Sequence, residues 1–317
     1  MIRISLGTAD VLGLKKIKTD ALPTTAYMFI GEKCVGDCSF CPQAKNSNSR
    51  LDMLSRITWP DFDFNEVLSK LSVSYDNDKI RRVCIQVVNQ KKSMDNAVNK
   101  LEAIKTKTNI PVCLSCNPLD IKHLEELFDL GADRISIALD AACERVFKRV
   151  KGEGWNRRLE MLEQASKRFP GKISTHLIVG LGETENEMLA CIDEMKKIGV
   201  KVALFAFTPI RGTKLEDSRQ PDISSYRRIQ LGKHLIEQEI VSMDRFVFED
   251  ECVTSFGIQH EVLVKVISDG KAFQTSGCPD CNRPYYNEKP GGVIYNYPRP
   301  LTEPEIIKAI KEMDLRN

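Results

Sequence analysis

The sequence predicts an α/β fold, a partial (β/α)6 TIM-type barrel with a C-terminal extension, and three observations lead there. Six short β-rich runs alternate with six amphipathic helical stretches between about residues 25 and 240, the order expected of parallel strands joined by helical crossovers. The alternation then stops and gives way to short apolar runs and a loop rich in Gly, Pro and Tyr. A length of 317 residues suits one barrel with an appendix.

Strands are expected at residues 26–30, 83–88, 112–115, 134–139, 173–179 and 202–207, all rich in β-branched, aromatic and small apolar side chains. Between and after them, residues 64–71, 94–104, 121–130, 157–168, 185–198 and 225–239 place apolar side chains at helical spacing. Gly131 and Gly199 stop two of these helices. In the extension, strands are expected at residues 245–248 and 261–267, with Asp269-Gly270 as a hairpin turn signal. After the loop at 278–300 comes a short helix that Thr302 caps ahead of Glu305, a capping box. The chain thus divides into an N-terminal segment (1–24), the barrel (25–240) and the extension (241–317).

Composition narrows the function classes. Hydrophobic residues at 42% and charged residues at 28% argue against disorder, collagen-like repeats and coiled coil. Forty-six basic against 44 acidic side chains leave a formal charge of +2, so no overall field draws in nucleic acid or anionic lipid. Neither a long uninterrupted apolar stretch nor a signal-peptide core is present, which predicts a cytoplasmic protein. In that reducing compartment, the 11 cysteines point to metal or thiol chemistry rather than disulfides.

Cys34, Cys38 and Cys41 form C-x3-C-x2-C in the loop after the first strand, where a barrel gathers its functional loops. Three thiolates so spaced can hold three corners of a 4Fe–4S cubane and leave its last iron open. Taken alone, the same residues also suit a zinc site, which wants a further ligand, or three unrelated buried thiols. Cys278 and Cys281 form a C-x2-C in a Gly/Pro-framed loop, a metal-site pattern that a redox pair or zinc knuckle would share. Cys143 and Cys191 lie in helical patterns and read as buried thiols.

Over roughly residues 27–213 the chain resembles the radical S-adenosylmethionine superfamily, and more narrowly biotin synthase. Cys41-Pro42-Gln43 matches that family's C-P-Q, and Phe40 fills the aromatic position that packs on adenine. Asp140 matches the ribose-binding Asp, and Arg158, reached without a gap, matches the arginine for the methionine carboxylate. A guanidinium fork suits a carboxylate. Ile178-Val179-Gly180-Leu181-Gly182-Glu183-Thr184 repeats the family's I-V-G-L-G-E-T, whose strand backbone approaches adenine; bare glycine backbone permits that approach. Singly, Gly-Leu-Gly-Glu is an ordinary strand-to-helix turn and Asp140 an ordinary helix cap. The resemblance implies a 4Fe–4S cluster on Cys34, Cys38 and Cys41, bound S-adenosylmethionine, a reductant protein such as ferredoxin or flavodoxin, and release of a 5'-deoxyadenosyl radical that abstracts an unactivated hydrogen.

Biotin synthase also holds an auxiliary cluster inside its barrel as sulfur donor, and Cys84 and Cys113 match two of its ligands. The third position is Ser174, and polar substrate positions are Ala138 and Phe205. A ureido ring would lose its hydrogen-bond partners there, whereas Phe205 and Phe207 suit an alkyl chain. An auxiliary 4Fe–4S cluster is therefore expected on Cys278 and Cys281, with Cys252, Cys113 and Cys116 as further donors and Cys84 the weaker candidate.

The segment from Leu204 to Thr213, together with Gly277-Cys278-Pro279-Asp280-Cys281-Asn282-Arg283-Pro284, is similar to biotin-synthase-related proteins of archaea and anaerobes. Members of that group form a two-protein lipoyl synthase. The resemblance implies sulfur insertion into an octanoyl chain on a lipoyl carrier domain, with a sister radical S-adenosylmethionine protein inserting the other sulfur. Ordinary lipoyl synthase carries auxiliary cysteines ahead of the radical motif, and residues 1–33 contain none. Alternatives are biotin-synthase-like sulfur insertion, methylation, methylthiolation or cofactor assembly by the same barrel, or a catalytically silent iron–sulfur scaffold. Among the histidines, His176 on the fifth strand is the candidate substrate contact, while His123, His234 and His260 read as helix or strand faces. Tyr285, Tyr286, Tyr295 and Tyr297 pack the loop or form a lid.

Overall fold

The computed structural model describes residues 1–288 and 291–315. In chain order its elements are β1 (Ile2–Ile4), α1 (Leu6–Val11), β2 (Thr25–Ile30), β3 (Met53–Leu54), β4 (Ile57–Thr58), β5 (Asp61–Phe62) and α2 (Phe64–Asp76). The barrel continues through β6 (Arg82–Val87), α3 (Lys91–Lys107), β7 (Val112–Ser115), α4 (Ile121–Asp129), β8 (Arg134–Ser136), α5 (Glu144–Lys151) and α6 (Trp155–Arg168). It closes its run with β9 (Ile173–Val179), α7 (Glu185–Lys197), β10 (Lys201–Ala206) and α8 (Ile223–Glu237). The extension holds β11 (Val247–Glu249), β12 (Cys252–Ser255), α9 (His260–Ile267) and α10 (Glu303–Glu312).

Strands β2, β6, β7, β8, β9 and β10 pair in parallel and in that order, which makes the expected six-stranded partial barrel. Parallel strands are covered on both faces, and every residue of β2 is buried. Strand alternation turns Ser174, His176 and Ile178 of β9 towards the barrel interior, while Ile173 and Leu177 join the buried apolar layer beneath the helices. Local chemistry starts the helices: Asp63 accepts from Glu66 N at 3.0 Å and Asp120 from His123 N at 2.8 Å. Thr184 and Glu187 form a reciprocal capping box at the head of α7. Gly131 and Gly199 take positive φ just past α4 and α7, as their helix-stopping role requires.

Four features differ from the sequence expectation. The N-terminal segment is not separate from the barrel, since β1 pairs antiparallel with β2 and β5 extends the same sheet. The fourth strand ends at Ser136, and Asp140, at φ 68°, rejoins β9 through a single bridge to Leu177. An additional helix, α5, buries Val146, Phe147 and Val150, and Gly152 and Gly154 separate it from α6. Residues 261–267 are a helix and not a strand: helical spacing turns Leu263, Val266 and Ile267 to the core and leaves Val262 and Val264 exposed. Gly270 (φ 69°) accordingly turns the chain after α9. The hairpin of the extension lies earlier, β11 against β12, with Asp250 and Glu251 at φ 48° and 64° forming the two-residue turn. At the far end, the Thr302–Glu305 capping box of α10 is formed. No helix among the described residues is long and apolar enough to cross a membrane.

Candidate active site

The barrel carries two groups of thiols at opposite ends of its strands. Cys34, Cys38 and Cys41 follow β2 and lie at the C-terminal end of the parallel strands. Backbone hydrogen bonds shape their loop: Cys34 N to Gln43 O at 2.8 Å, Cys41 N to Cys38 O at 3.1 Å and Ser39 N to Val150 O at 2.7 Å. Gln43 Nε2 adds bonds to Leu51 O and Met53 O, tying the loop to β3. Burial pushes the Cys38 thiol up to about 11, against the pull of Lys151, and pushes Cys41 up to about 12.

Beside this loop stand Asp140 and Arg158. Asp140 accepts from Lys151 Nζ at 2.6 Å, and Lys151 also bonds Ala138 O at 2.9 Å. Arg158 donates to Asn117 Oδ1 and lies within electrostatic reach of Asp140 and Cys38, although burial lowers its pKa. Gly180 follows β9 with φ 98°, a backbone conformation that tolerates no side chain cheaply. Glu183 spends its carboxylate on Gly180 N at 2.7 Å and Leu181 N at 3.0 Å, so it holds the Gly-rich turn in place. Glu183, a cofactor-binding candidate from its place in the matched motif, is thus bonded to the backbone of its own turn.

At the other end, the loop from Cys278 to Arg283 closes the barrel over the N-terminal ends of the strands. Thr24 and Thr25 hydroxyls donate to Asp280 O at 2.6 and 2.9 Å, and Arg82 Nε donates to Pro279 O at 3.1 Å. Tyr27 OH accepts from Arg283 N at 2.9 Å and lies 3.4 Å from Cys281 Sγ. These bonds bring Cys278 and Cys281 to Cys84 and Cys113, which stand opposite each other on β6 and β7. Cys113 Sγ is 3.6 Å from Cys278 Sγ and accepts from Arg82 Nη1 at 3.1 Å. Gln86 Nε2 donates to Cys84 Sγ at 3.0 Å.

The hydrogen bond from Cys113, reinforced by Arg134 and Arg82, holds Cys278 low, while Cys113 is held high as the proton donor. Arg283 is buried with its guanidinium 3.9 Å over the Phe205 ring, an arrangement worth about 2 kcal/mol when desolvated. Its Nη2 donates to Ser276 O at 2.8 Å and Leu204 O at 3.2 Å. No carboxylate pairs with it among the described residues. A buried cation needs a counter-charge, and its neighbours are Cys84 and Cys281.

A cavity of about 190 Å³ joins the two groups, with Phe40 and Cys41 at one end and Cys84, Cys113, Cys278 and Cys281 at the other. Phe205, Phe207, Ile178 and Tyr286 give it an apolar wall, and Asp140 also borders it. His176 faces it as well, 3.1 Å from Ser136 Oγ through Nε2 and edge-on to Phe205; burial lowers its pKa to about 4, so it is neutral.

Comparison with known proteins is consistent with this geometry. Residues 28–201 match the family model described as the radical SAM superfamily. The chain belongs to the radical S-adenosylmethionine superfamily. It is 28% identical to a biotin synthase of Leptospira biflexa over 58% of this chain and 52% of that protein. It is 27% identical to a biotin synthase of Methanococcus maripaludis over 64% and 61%, respectively. The chain thus spans about half to three fifths of the length of the curated relatives it matches.

Among solved structures, the FeFe-hydrogenase maturase HydG from Carboxydothermus hydrogenoformans aligns with a TM-score of 0.53 at 18% identity, over 68% of this chain and 51% of that one. Methylornithine synthase aligns with a TM-score of 0.51 at 15% identity, over 66% and 62%. At such identities the likeness is one of fold.

Superfamily membership implies a 4Fe–4S cluster and S-adenosylmethionine, and the chain's donors suit both. The loop offers three thiols, its Asp37 being engaged by Lys214 and Asn46, which would leave one cluster corner for the cofactor, and the neighbouring Asp140 and Arg158 have the chemistry to take a ribose and a carboxylate. Among the described residues, no three metal-binding side chains converge tightly enough for a single ion.

Two sequence expectations are corrected at the far end. Cys252 is exposed on β12, whose Val253 N bonds Glu185 on α7 at 2.9 Å, so the hairpin docks outside the barrel and takes that thiol with it. Cys116 is buried in the core, beyond the end of β7 and near Arg158, apart from the cysteines that line the cavity. Cys84, by contrast, lines the cavity beside Cys278 and Cys281. Lys151, Asn117, Arg82 and Arg283 escaped the sequence reading. Only Arg82 had a signal, its two-residue spacing from Cys84 on one strand. Cys191 is buried as expected, while Cys143 is half-buried and precedes α5.

Proposed function

We propose that this chain inserts sulfur into an octanoyl chain carried on a lipoyl carrier domain, as one half of a two-protein lipoyl synthase, with an auxiliary iron–sulfur cluster as sulfur source. One observation carries the reading: a narrow, largely apolar cavity has cluster-type thiols at both ends. When bound, the 4Fe–4S cluster and S-adenosylmethionine supply a carbon-centred radical able to take hydrogen from an unactivated carbon.

The chain's own residues bind and orient. Arg158 and Asp140 grip the cofactor's carboxylate and ribose, with Lys151 holding Asp140 in place. Phe205 and Phe207 guide the alkyl chain. The neutral His176 keeps its polarity turned to Ser136. Tyr27, Trp59 and Tyr286 pack ring against ring beside the cavity and exclude water. Cys84, Cys113, Cys278 and Cys281 hold the auxiliary cluster, and Arg82 and Arg283 offset its negative charge.

The sulfur-inserting half of the reading is supported by the likeness to biotin synthases. The substrate half is supported by the apolar lining and by Ala138 and Phe205, which offer no side-chain partner to a ureido ring. A sister protein for the other sulfur and a ferredoxin- or flavodoxin-type reductant complete the proposed system.

The test is incubation of reduced, reconstituted protein with S-adenosylmethionine and an octanoyl-lysine carrier peptide, read by mass spectrometry. A thiolated octanoyl product with 5'-deoxyadenosine is expected. Deoxyadenosine with no sulfur added to either the octanoyl peptide or, in a parallel incubation, its monothiolated form rejects the substrate assignment.

A further inference from the structure

Cys278 and Cys281 stand in a partition between two cavities. On the inner side is the reaction cavity; on the outer side, beyond the same loop, lies a cavity of about 440 Å³. Gly277, Cys278 and Cys281 line both. At Gly277, φ is 146°, and a Cβ would meet Ala203 Cβ at 3.5 Å and Cys281 Sγ at 3.7 Å. The outer cavity is at the barrel end opposite the Cys34–Cys41 loop, and Phe40, Cys41 and Asp140 do not border it.

Its lining differs in kind from the inner one. Gln274, Ser276 and Asn282 make it polar, and its basic side chains outnumber Glu237 and Asp280. Lys201 and Lys233 share the single carboxylate of Glu237, at 3.2 and 2.6 Å, and Lys233 is 5% exposed. Two amines thus share one carboxylate at the cavity wall, with the Lys201 side chain 42% exposed there, whereas Arg81, Lys271 and Arg299 have carboxylates of their own; an amine cluster short of one carboxylate attracts small anions.

We propose that the outer cavity binds small anionic sulfur species, hydrosulfide being the simplest, and admits them to the auxiliary cysteines from behind. This rests on the reading that a cluster at those cysteines gives up sulfide during turnover. The inner route is then filled by cofactor and alkyl chain, and the outer cavity is the independent way in. No bond is made or broken in the cavity; it binds and passes an ion.

The experiment uses the full chain with Cys34→Ala, Cys38→Ala and Cys41→Ala, so that the auxiliary cluster is the only one held, and sulfur-34 hydrosulfide as probe. Native mass spectrometry follows exchange of label into the cluster. Gln274→Trp, which fills the outer cavity, should slow the exchange severalfold, and Lys201→Gln should slow it by about tenfold at low salt and less at high salt. Leu54→Trp, which fills only the inner cavity, should leave it unchanged. Exchange at the parent rate in Gln274→Trp, or slowed by Leu54→Trp alone, overturns the proposal.

If the triad-free chain holds no cluster, the auxiliary-donor reading fails. The passage is then decided by alkylation of Cys278 and Cys281 with iodoacetate against neutral iodoacetamide. Preferential labelling by iodoacetate, lost in Gln274→Trp, supports the anion passage, and equal labelling of parent and variant overturns it.

Discussion

Arg158 shows how a single side chain unites sequence match and geometry. Its guanidinium is half-buried and, among the described residues, hydrogen-bonded only to the neutral Asn117, with Asp140 and Cys38 nearby, which leaves it charge to spend on an incoming carboxylate. Arg158→Ala should weaken S-adenosylmethionine binding by about 1.5–3 kcal/mol, the range for a charge-assisted hydrogen bond. An unchanged calorimetric titration rejects the role. His176 gives a pH prediction. Its folded-state pKa of about 4 lies below the ordinary 6.5, because burial disfavours the imidazolium. As pH falls through 6.5 the unfolded chain takes the proton first, so stability drops between 6.5 and about 4 and levels off below. Urea midpoints across that window should show a shallower slope for His176→Gln than for the parent.

At the scale of the element, the loop from Cys278 to Arg283 is short but tightly specified. Hydroxyls of Thr24 and Thr25, the Arg82 guanidinium and Tyr27 OH all bond its backbone, so its two thiols are presented to Cys84 and Cys113 by the barrel itself. Cys278→Ala with Cys281→Ala should lower iron content by about one cluster while S-adenosylmethionine cleavage persists. Cys252→Ala should retain all iron, because the hairpin carries that thiol away from the barrel interior. Full iron in the double variant, or a loss in Cys252→Ala, contradicts the ligand set. The Cys-x2-Cys pair was legible from spacing and Cys113 from the resemblance; that Cys84 stands beside them, and Cys116 and Cys252 do not, needed strand register and hairpin docking.

The whole molecule is held together by the extension as much as by the barrel. Glu185 at the head of α7 and Arg228 on α8 form a buried ion pair at 2.6 Å. Arg228 reaches on to Met313 O at 2.8 Å, and Glu185 takes Val253 N from the hairpin. One pair thus joins two barrel helices, the β11–β12 hairpin and the C-terminal end. Removing one partner strands the other as a buried charge, so Arg228→Ala should cost about 3–5 kcal/mol. Thermal unfolding measures this, and a shift no larger than that of an exposed pair such as Lys167–Glu163 counts against the coupling.

The amino-acid pattern determined the barrel and its radical-cluster loop, because both are local: strand and helix periods repeat in order, and Cys34, Cys38 and Cys41 lie within one loop beside strand ends bearing Asp140 and Gly180. Hydrophobic periodicity and ligand spacing need no long-range contact to be read. Tertiary structure alone decided what sequence separation hides. It made residues 261–267 a helix, with Leu263, Val266 and Ile267 packed on the core. It placed Cys84, and not Cys116 or Cys252, beside Cys278 and Cys281, brought Arg283 onto Phe205, and set the Cys278–Cys281 loop between two cavities. Each of these rests on contacts between residues far apart in the chain, whose free energy exists only once the barrel has closed.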